Sequence, residues 1–221
     1  MNHIAPSMLS ADFANLERDM TMIKAAGADW LHVDVMDGVF VPNITIGAPV
    51  VKALRKVSDL FFDVHLMITA PERYIDDFAA AGADSITVHY ESFENKPKGL
   101  LAETLDAIRA HGIRAGISVK PATDATVLQS LLEKLDLILI MTVEPGFGGQ
   151  AFMPELLPKI KKAREMADAA DHEIIIEVDG GINTVNIGDV VRAGANAIVA
   201  GNAIFGAEDP AAVIAVFRNA L

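Results

Sequence analysis

Eight short, mostly apolar runs punctuate the chain, at residues 4–9, 30–34, 61–66, 85–89, 113–118, 136–141, 173–179 and 197–201. Each has the length of a strand rather than a helix, and is apolar enough to be a parallel strand covered on two sides. The segments between them space apolar residues three and four apart, so Phe13, Leu16, Met20 and Ile23 predict an amphipathic helix after the first run. Proline stands where helices open, in Ala70-Pro71-Glu72, Met153-Pro154-Glu155 and Asp209-Pro210, because a first turn does not need its N–H. Ala26-Gly27-Ala28-Asp29, Ala81-Gly82-Ala83-Asp84 and Ala193-Gly194-Ala195-Asn196 each close a helix before a strand, with glycine as the left-handed cap. Those glycines stand two and then four units apart at about 28 residues per unit, the repeat of a small (β/α)8 barrel. The predicted fold is α/β, a single TIM barrel occupying residues 1–221 as one domain. An open doubly wound sheet is the alternative, but no G-x-G-x-x-G follows the first run.

One run breaks the apolar rule. In Trp30-Leu31-His32-Val33-Asp34-Val35-Met36-Asp37-Gly38, period two puts His32, Asp34 and Met36 on one face and Leu31, Val33 and Val35 on the other. A buried imidazole and carboxylate both need partners. A lone H-x-D is most simply a hydrogen-bonded pair that orients a loop. In a barrel, however, chemistry collects at the carboxyl ends of the strands. Those ends carry Ser7, His32 with Asp34, His65, His89, Ser118, Thr142 with Glu144, Asp179, and Gly201-Asn202. His32, Asp34, His65 and Asp179 would converge on one mouth from strands two, three and seven, which predicts a site for one divalent metal ion. Mixed imidazole and carboxylate donors suit Zn²⁺, Fe²⁺, Mn²⁺ or Co²⁺ and argue against Ca²⁺ or Mg²⁺.

Charge changes the picture of the ligand. The chain carries Lys+Arg 18 against Asp+Glu 30, a net charge of −12, which repels nucleic acid and anionic membranes. An anionic substrate therefore needs a local positive site. Three glycine-rich stretches offer backbone N–H groups at adjacent strand ends: Gly146-Phe147-Gly148-Gly149, Gly180-Gly181 and Gly201-Asn202. Any one could be a tight turn, but together they favour a phosphate. Hydrophobic residues reach 52%, yet no apolar run approaches the roughly 20 residues of a membrane span. With no cysteine and no basic-then-apolar leader at Met1-Asn2-His3-Ile4-Ala5-Pro6, a cytoplasmic protein is expected.

Five motifs then carry a resemblance. Residues 6–13, 32–38, 41–43, 141–150 and 177–182, which read PSMLSADF, HVDVMDG, VPN, MTVEPGFGGQ and EVDGGI, are similar to the ribulose-phosphate 3-epimerase family along the whole chain. The resemblance implies a metal on His32, Asp34, His65 and Asp179, with Asp34 and Asp179 as the acid/base pair. It implies substrate contacts from Ser7, His65, Asp179 and the glycine loops, and places Met36, Met67 and Met141 beside the reacting carbon. Read without the resemblance, those methionines are space-filling. The implied reaction interconverts D-ribulose 5-phosphate and D-xylulose 5-phosphate, a pentose phosphate pathway step, by two-base proton transfer at carbon 3 through an enediolate. The ligand is then a small ketose phosphate, and a homo-oligomer is expected. The family commonly has His at Val39 and Ser at Asn202. Epimerases of six-carbon ketose phosphates such as allulose 6-phosphate share the metal motif, and a non-catalytic sugar-phosphate sensor is a further alternative. Barrel lyases and decarboxylases carry Asp-x-Lys-x-x-Asp on the third strand, where this chain reads Asp63-Val64-His65-Leu66-Met67-Ile68.

Overall fold

The computed structural model describes residues 2–221. Among them, eight strands form one parallel sheet: β1 (His3–Pro6), β2 (Trp30–Met36), β3 (Phe61–Met67), β4 (Ser85–His89), β5 (Arg114–Val119), β6 (Leu137–Met141), β7 (Ile175–Asp179) and β8 (Ala197–Ala200). Their order runs β1-β8-β7-β6-β5-β4-β3-β2, and a parallel bridge between Ser7 and His32 joins the two ends into a nearly closed barrel. The helices are α1 (Leu16–Ala25), α2 (Ala48–Arg55), α3 (Ile75–Ala81), α4 (Leu100–Ala110), α5 (Leu157–Asp168), α6 (Ile187–Arg192), a short α7 (Asn202–Phe205) and α8 (Pro210–Ala220). The expected TIM barrel is the observed fold.

Period two explains why the wall has two cores. Leu31, Val33 and Val35 of β2 pack outward with helix residues such as Met20 and Ile23 of α1. Inward-facing Ala5, Trp30, Leu139, Val199 and neighbours form a separate cluster inside the barrel. At the amino-terminal end His3, Trp30 and Phe61 stack at 4.3 and 4.7 Å, and the Arg114 guanidinium lies 4.9 Å from the Phe61 ring. This plug closes the bottom, so only the carboxyl-terminal mouth is left for a site.

Several boundaries move for identifiable reasons. The first strand stops at Pro6 because the Ser7 hydroxyl accepts the Leu9 N–H and turns Met8–Ser10 into a 3-10 helix. Phe13 lies ahead of α1 and is exposed, so the predicted apolar stripe begins at Leu16. Two of the three proline signals, at Pro71 and Pro154, open a 3-10 turn before the α-helix rather than the helix itself; Pro210 does open α8. After β5 the connecting helix, Ala125–Lys134, is 3-10 throughout. Its apolar Ala125, Leu128 and Leu131 repeat every three residues, the spacing that shares one face in that helix. The glycine caps are as expected, with φ of 94°, 103° and 113° at Gly27, Gly82 and Gly194.

Candidate active site

The inward face of β2 delivers His32 and Asp34 to the mouth, and pairing of β2 with β3 places His65 beside Asp34. Strand β7 brings Asp179 to the same point. Donor atoms of His32, Asp34, His65 and Asp179 all lie within 4.8 Å of one another. Asp34 uses its two oxygens differently. Oδ1 is 3.3 Å from both His32 Nε2 and His65 Nδ1, whereas Oδ2 accepts from the Ser7 hydroxyl at 2.5 Å. Asp179 Oδ2 stands 4.0 Å from His32 Nε2. Ser7, expected to touch substrate, lines the mouth but spends its hydroxyl on Asp34.

The four residues fit a divalent cation on an observation of their own. His32 Nε2 is fully buried and makes no hydrogen bond, while the other ring nitrogen donates to Asp63 Oδ2 at 2.6 Å. An imidazole anchored through one nitrogen and free at the other is the usual arrangement of a metal-binding histidine. Without an ion that nitrogen holds a proton. Burial opposes an imidazolium, but Asp34 and Asp63 on its two sides outweigh burial and raise the His32 pKa well above the ordinary value. A metal would displace that proton.

The two carboxyls are electrostatically unlike. Burial works to raise both. At Asp34 it is overcome by His32 and by the hydrogen bonds from His32 and His65, which hold the group far below the usual range. At Asp179 burial is reinforced by the negative charge of Asp34, and the pKa is pushed up to about 6. One carboxyl is thus ionised while its partner stays close to protonation at neutral pH.

Beneath the metal position lies a polar layer that the sequence reading passed over. Asp63 sits two residues before His65 and Glu177 two before Asp179, so period two puts both inside. The Ser85 hydroxyl donates to Asp63 Oδ1 at 2.5 Å, and Glu177 stands 3.8 Å from His32 Nδ1 with no exposed surface. Burial, then the charge of Asp63, raises the Glu177 pKa well above normal, so this carboxyl is a neutral acid. Beside the mouth, His89 meets His65 at 2.9 Å between Nε2 atoms, and Glu91 faces His89 Nδ1 at 3.2 Å. Glu91, too, was not among the expected residues.

A cavity of about 270 Å³ opens above the cluster. Asp34, Asp179, Ser7, Met36, Met67 and Met141 line it together with Gly146, Phe147, Gly148, Gly149, Gly180, Gly181, Gly201 and Asn202. Every cavity residue expected from sequence is present, apart from His65, which lies buried behind Asp34. Phe147 reaches only the rim, more than half exposed. Two glycines are required by packing: a Cβ on Gly181, whose φ is +69°, would lie 2.3 Å from the Phe152 nitrogen, and one on Gly201 2.4 Å from Ser10 Oγ. Among the described residues, the N–H groups of Gly149, Gly181 and Asn202 meet no protein acceptor and are left to a ligand. Val39 points to solvent and takes no part in the cluster.

Fold and site define the class: a TIM barrel whose closed interior presents imidazoles and carboxylates, with glycine loops around the same mouth. Comparison with known proteins narrows it. The profile of the Ribulose-phosphate 3 epimerase family matches residues 3–205, and this chain belongs to that family. It is 52% identical over 216 residues to the ribulose-phosphate 3-epimerase of Synechocystis sp., covering 98% of this chain and 93% of that one. Identity to the Bacillus subtilis ribulose-phosphate 3-epimerase is 47% over 220 residues, covering 99% of both. By family it is an isomerase, a carbohydrate epimerase. Among solved structures, KGPDC from Streptococcus mutans in complex with ribose 5-phosphate superimposes with a TM-score of 0.76 at 15% identity, over 99% of this chain and 96% of that one, which supports the fold.

Proposed function

We propose that this protein interconverts D-ribulose 5-phosphate and D-xylulose 5-phosphate by inverting carbon 3. The observation that carries the reading is a pair of inward carboxyls on opposite parts of the strand ring, Asp34 on β2 and Asp179 on β7, meeting two imidazoles under one open cavity. The names of the relatives, and the ribose 5-phosphate held by a structural neighbour, support a pentose phosphate as ligand.

The hydrogen on carbon 3, next to the carbon-2 ketone, leaves as a proton to one aspartate and is replaced from the other face by the second. Asp34 takes or gives it through Oδ2, whose orientation Ser7 fixes. Asp179 is the carboxyl whose pKa of about 6 suits it to hold a proton near neutrality. A divalent ion held by His32, Asp34, His65 and Asp179, Zn²⁺ by preference with Fe²⁺, Mn²⁺ or Co²⁺ as alternatives, supplies positive charge where the enediolate gathers its negative charge. Met36, Met67 and Met141 wall the reacting carbon from water, and Gly149, Gly181 and Asn202 N–H groups take the phosphate. No helix among the described residues is long and apolar enough to cross a membrane. The protein is proposed to work in the cytoplasm as a homo-oligomer, which sedimentation velocity tests.

Deuterium exchange tests the two-base reading. With metal content confirmed, Asp34→Asn and Asp179→Asn should both lose epimerisation by orders of magnitude. In deuterated water each should still exchange the carbon-3 hydrogen of one epimer, and the two variants should exchange different epimers. If both exchange the same epimer, or one remains a full epimerase, the assignment is wrong.

A further inference from the structure

Whether His65 can present a lone pair to a metal depends on which of its nitrogens carries hydrogen. Its Nδ1 faces the site, 3.3 Å from Asp34 Oδ1, and its Nε2 faces away, 2.9 Å from His89 Nε2. Two nitrogens at that distance share one hydrogen, so the state of His89 decides the state of His65.

His89 is in turn decided by Glu91, which sits in the 3-10 turn Tyr90–Phe93 just past β4. Glu91 Oε1 accepts from the Lys120 N–H at 2.7 Å and the Thr123 hydroxyl at 2.5 Å, both in the loop after β5. Its Oε2 is left for His89 Nδ1 at 3.2 Å. A carboxylate can only accept, so His89 Nδ1 holds the hydrogen. His89 has no exposed surface and the ring of Phe40 lies 4.8 Å from it, surroundings that disfavour a second proton. Its Nε2 is therefore an acceptor, and the hydrogen between the rings belongs to His65 Nε2.

We propose that Glu91 and His89 are positioning residues for the metal site: a hydrogen-bond relay Glu91–His89–His65 locks the hydrogen of His65 on Nε2 and leaves Nδ1 free to bind the ion. Its counterpart at the other imidazole is shorter, with Ser85 and Asp63 fixing His32 directly. The consequence for metal binding rests on the reading of the site given above. The relay itself concerns only where two hydrogens sit, and it can be observed in metal-free protein.

Glu91→Gln should reverse the relay. The amide oxygen must occupy the place of Oε1, since the Lys120 N–H is fixed in the backbone, and the NH₂ then faces His89 Nδ1. A donor there drives the His89 hydrogen to Nε2 and the His65 hydrogen to Nδ1, where it blocks the ion. Long-range ¹H–¹⁵N spectra of metal-free protein read the tautomers, and competition with a chelator reads Zn²⁺ affinity. The wild type should show His89 with a pyrrole-type Nδ1 and a pyridine-type Nε2. In E91Q these should exchange, and Zn²⁺ affinity should fall by about 10- to 100-fold. A wild-type His89 with hydrogen on Nε2, or on both nitrogens, overturns the proposal even if E91Q fails to fold. It is also overturned if E91Q binds Zn²⁺ as the wild type does, or loses Zn²⁺ while His89 keeps its Nδ1 hydrogen. A correct tautomer pattern in a protein without epimerase activity would refute the proposed reaction and leave the relay standing.

Discussion

Glu177→Gln should make the metal-free protein more stable, and increasingly so as the pH rises. Glu177 is wholly buried on the inner face of β7, and burial together with the neighbouring Asp63 charge raises its pKa well above the ordinary 4.5. In the unfolded chain this carboxyl ionises near 4.5, so above that pH folding must take up a proton. A raised folded pKa means that the folded state binds more protons than the unfolded one. The stability tied to this group is complete below the unfolded pKa and is lost as pH climbs towards the folded value, at about 1.4 kcal/mol per pH unit. Between pH 5.5 and 7 the loss is about 2 kcal/mol. Glutamine keeps the shape and a hydrogen for Asp63 but does not titrate. The gap in Tm between E177Q and wild type should therefore widen by about 4–8 °C over that interval for a chain of this length. Thermal melts at pH 5.5, 7 and 8 in a chelating buffer provide the assay. A gap independent of pH, or one that closes as pH rises, would mean that Glu177 is ionised in the fold and that the account of the buried layer is wrong.

Two further predictions concern the mouth. Strong chelation should abolish turnover, and His65→Ala should do the same while far-ultraviolet circular dichroism stays that of the barrel, because the packed clusters lie below and outside the site; full activity in protein shown by elemental analysis to be metal-free contradicts this. Gly148→Asp, placing a carboxylate on a cavity-lining loop residue, should cut kcat/KM for D-ribulose 5-phosphate by at least about tenfold, a cost of about 1.4 kcal/mol, and wild type should use free ribulose far less well. Equal rates on the phosphorylated and free sugars would remove the phosphate from those loops.

The barrel and its first circle of site residues were legible because they follow simple periods. Apolar runs of strand length, glycine caps about one repeat apart, and the two-residue period that put His32 beside Asp34 needed no knowledge of distant contacts. Asp63 and Glu177 obeyed the same period and could have been found by applying it backwards from His65 and Asp179. They were hidden by sitting inside runs that otherwise read as plain apolar strand. Glu91 had no such signal. It lies beyond the strand, in a turn, and gains its meaning only when the loop after β5 folds over to hold its other oxygen. The 3-10 starts at Pro71 and Pro154 were obscured for a related reason, since proline marks the first turn without fixing whether its carbonyls are taken three or four residues on.

Why polar groups fill a barrel interior that is normally apolar follows from the architecture. The outer face of every strand is committed to helices, so chemistry has only the inner face, where each polar group must answer to another. Here the answers are arranged by strand. Asp63 and Ser85 hold His32 from β3 and β4, Glu91 and His89 hold His65 from the end of β4, and Ser7 holds Asp34 from the end of β1. Only Asp179 has no side-chain anchor among the cluster's hydrogen bonds, and it is the carboxyl whose pKa approaches neutrality. Three ligands are thus fixed in position and protonation by neighbours that do not reach the cavity or, like Ser7, only edge it. The fourth is left free to change its proton, a division of labour that lets one site keep an ion still while it moves a hydrogen.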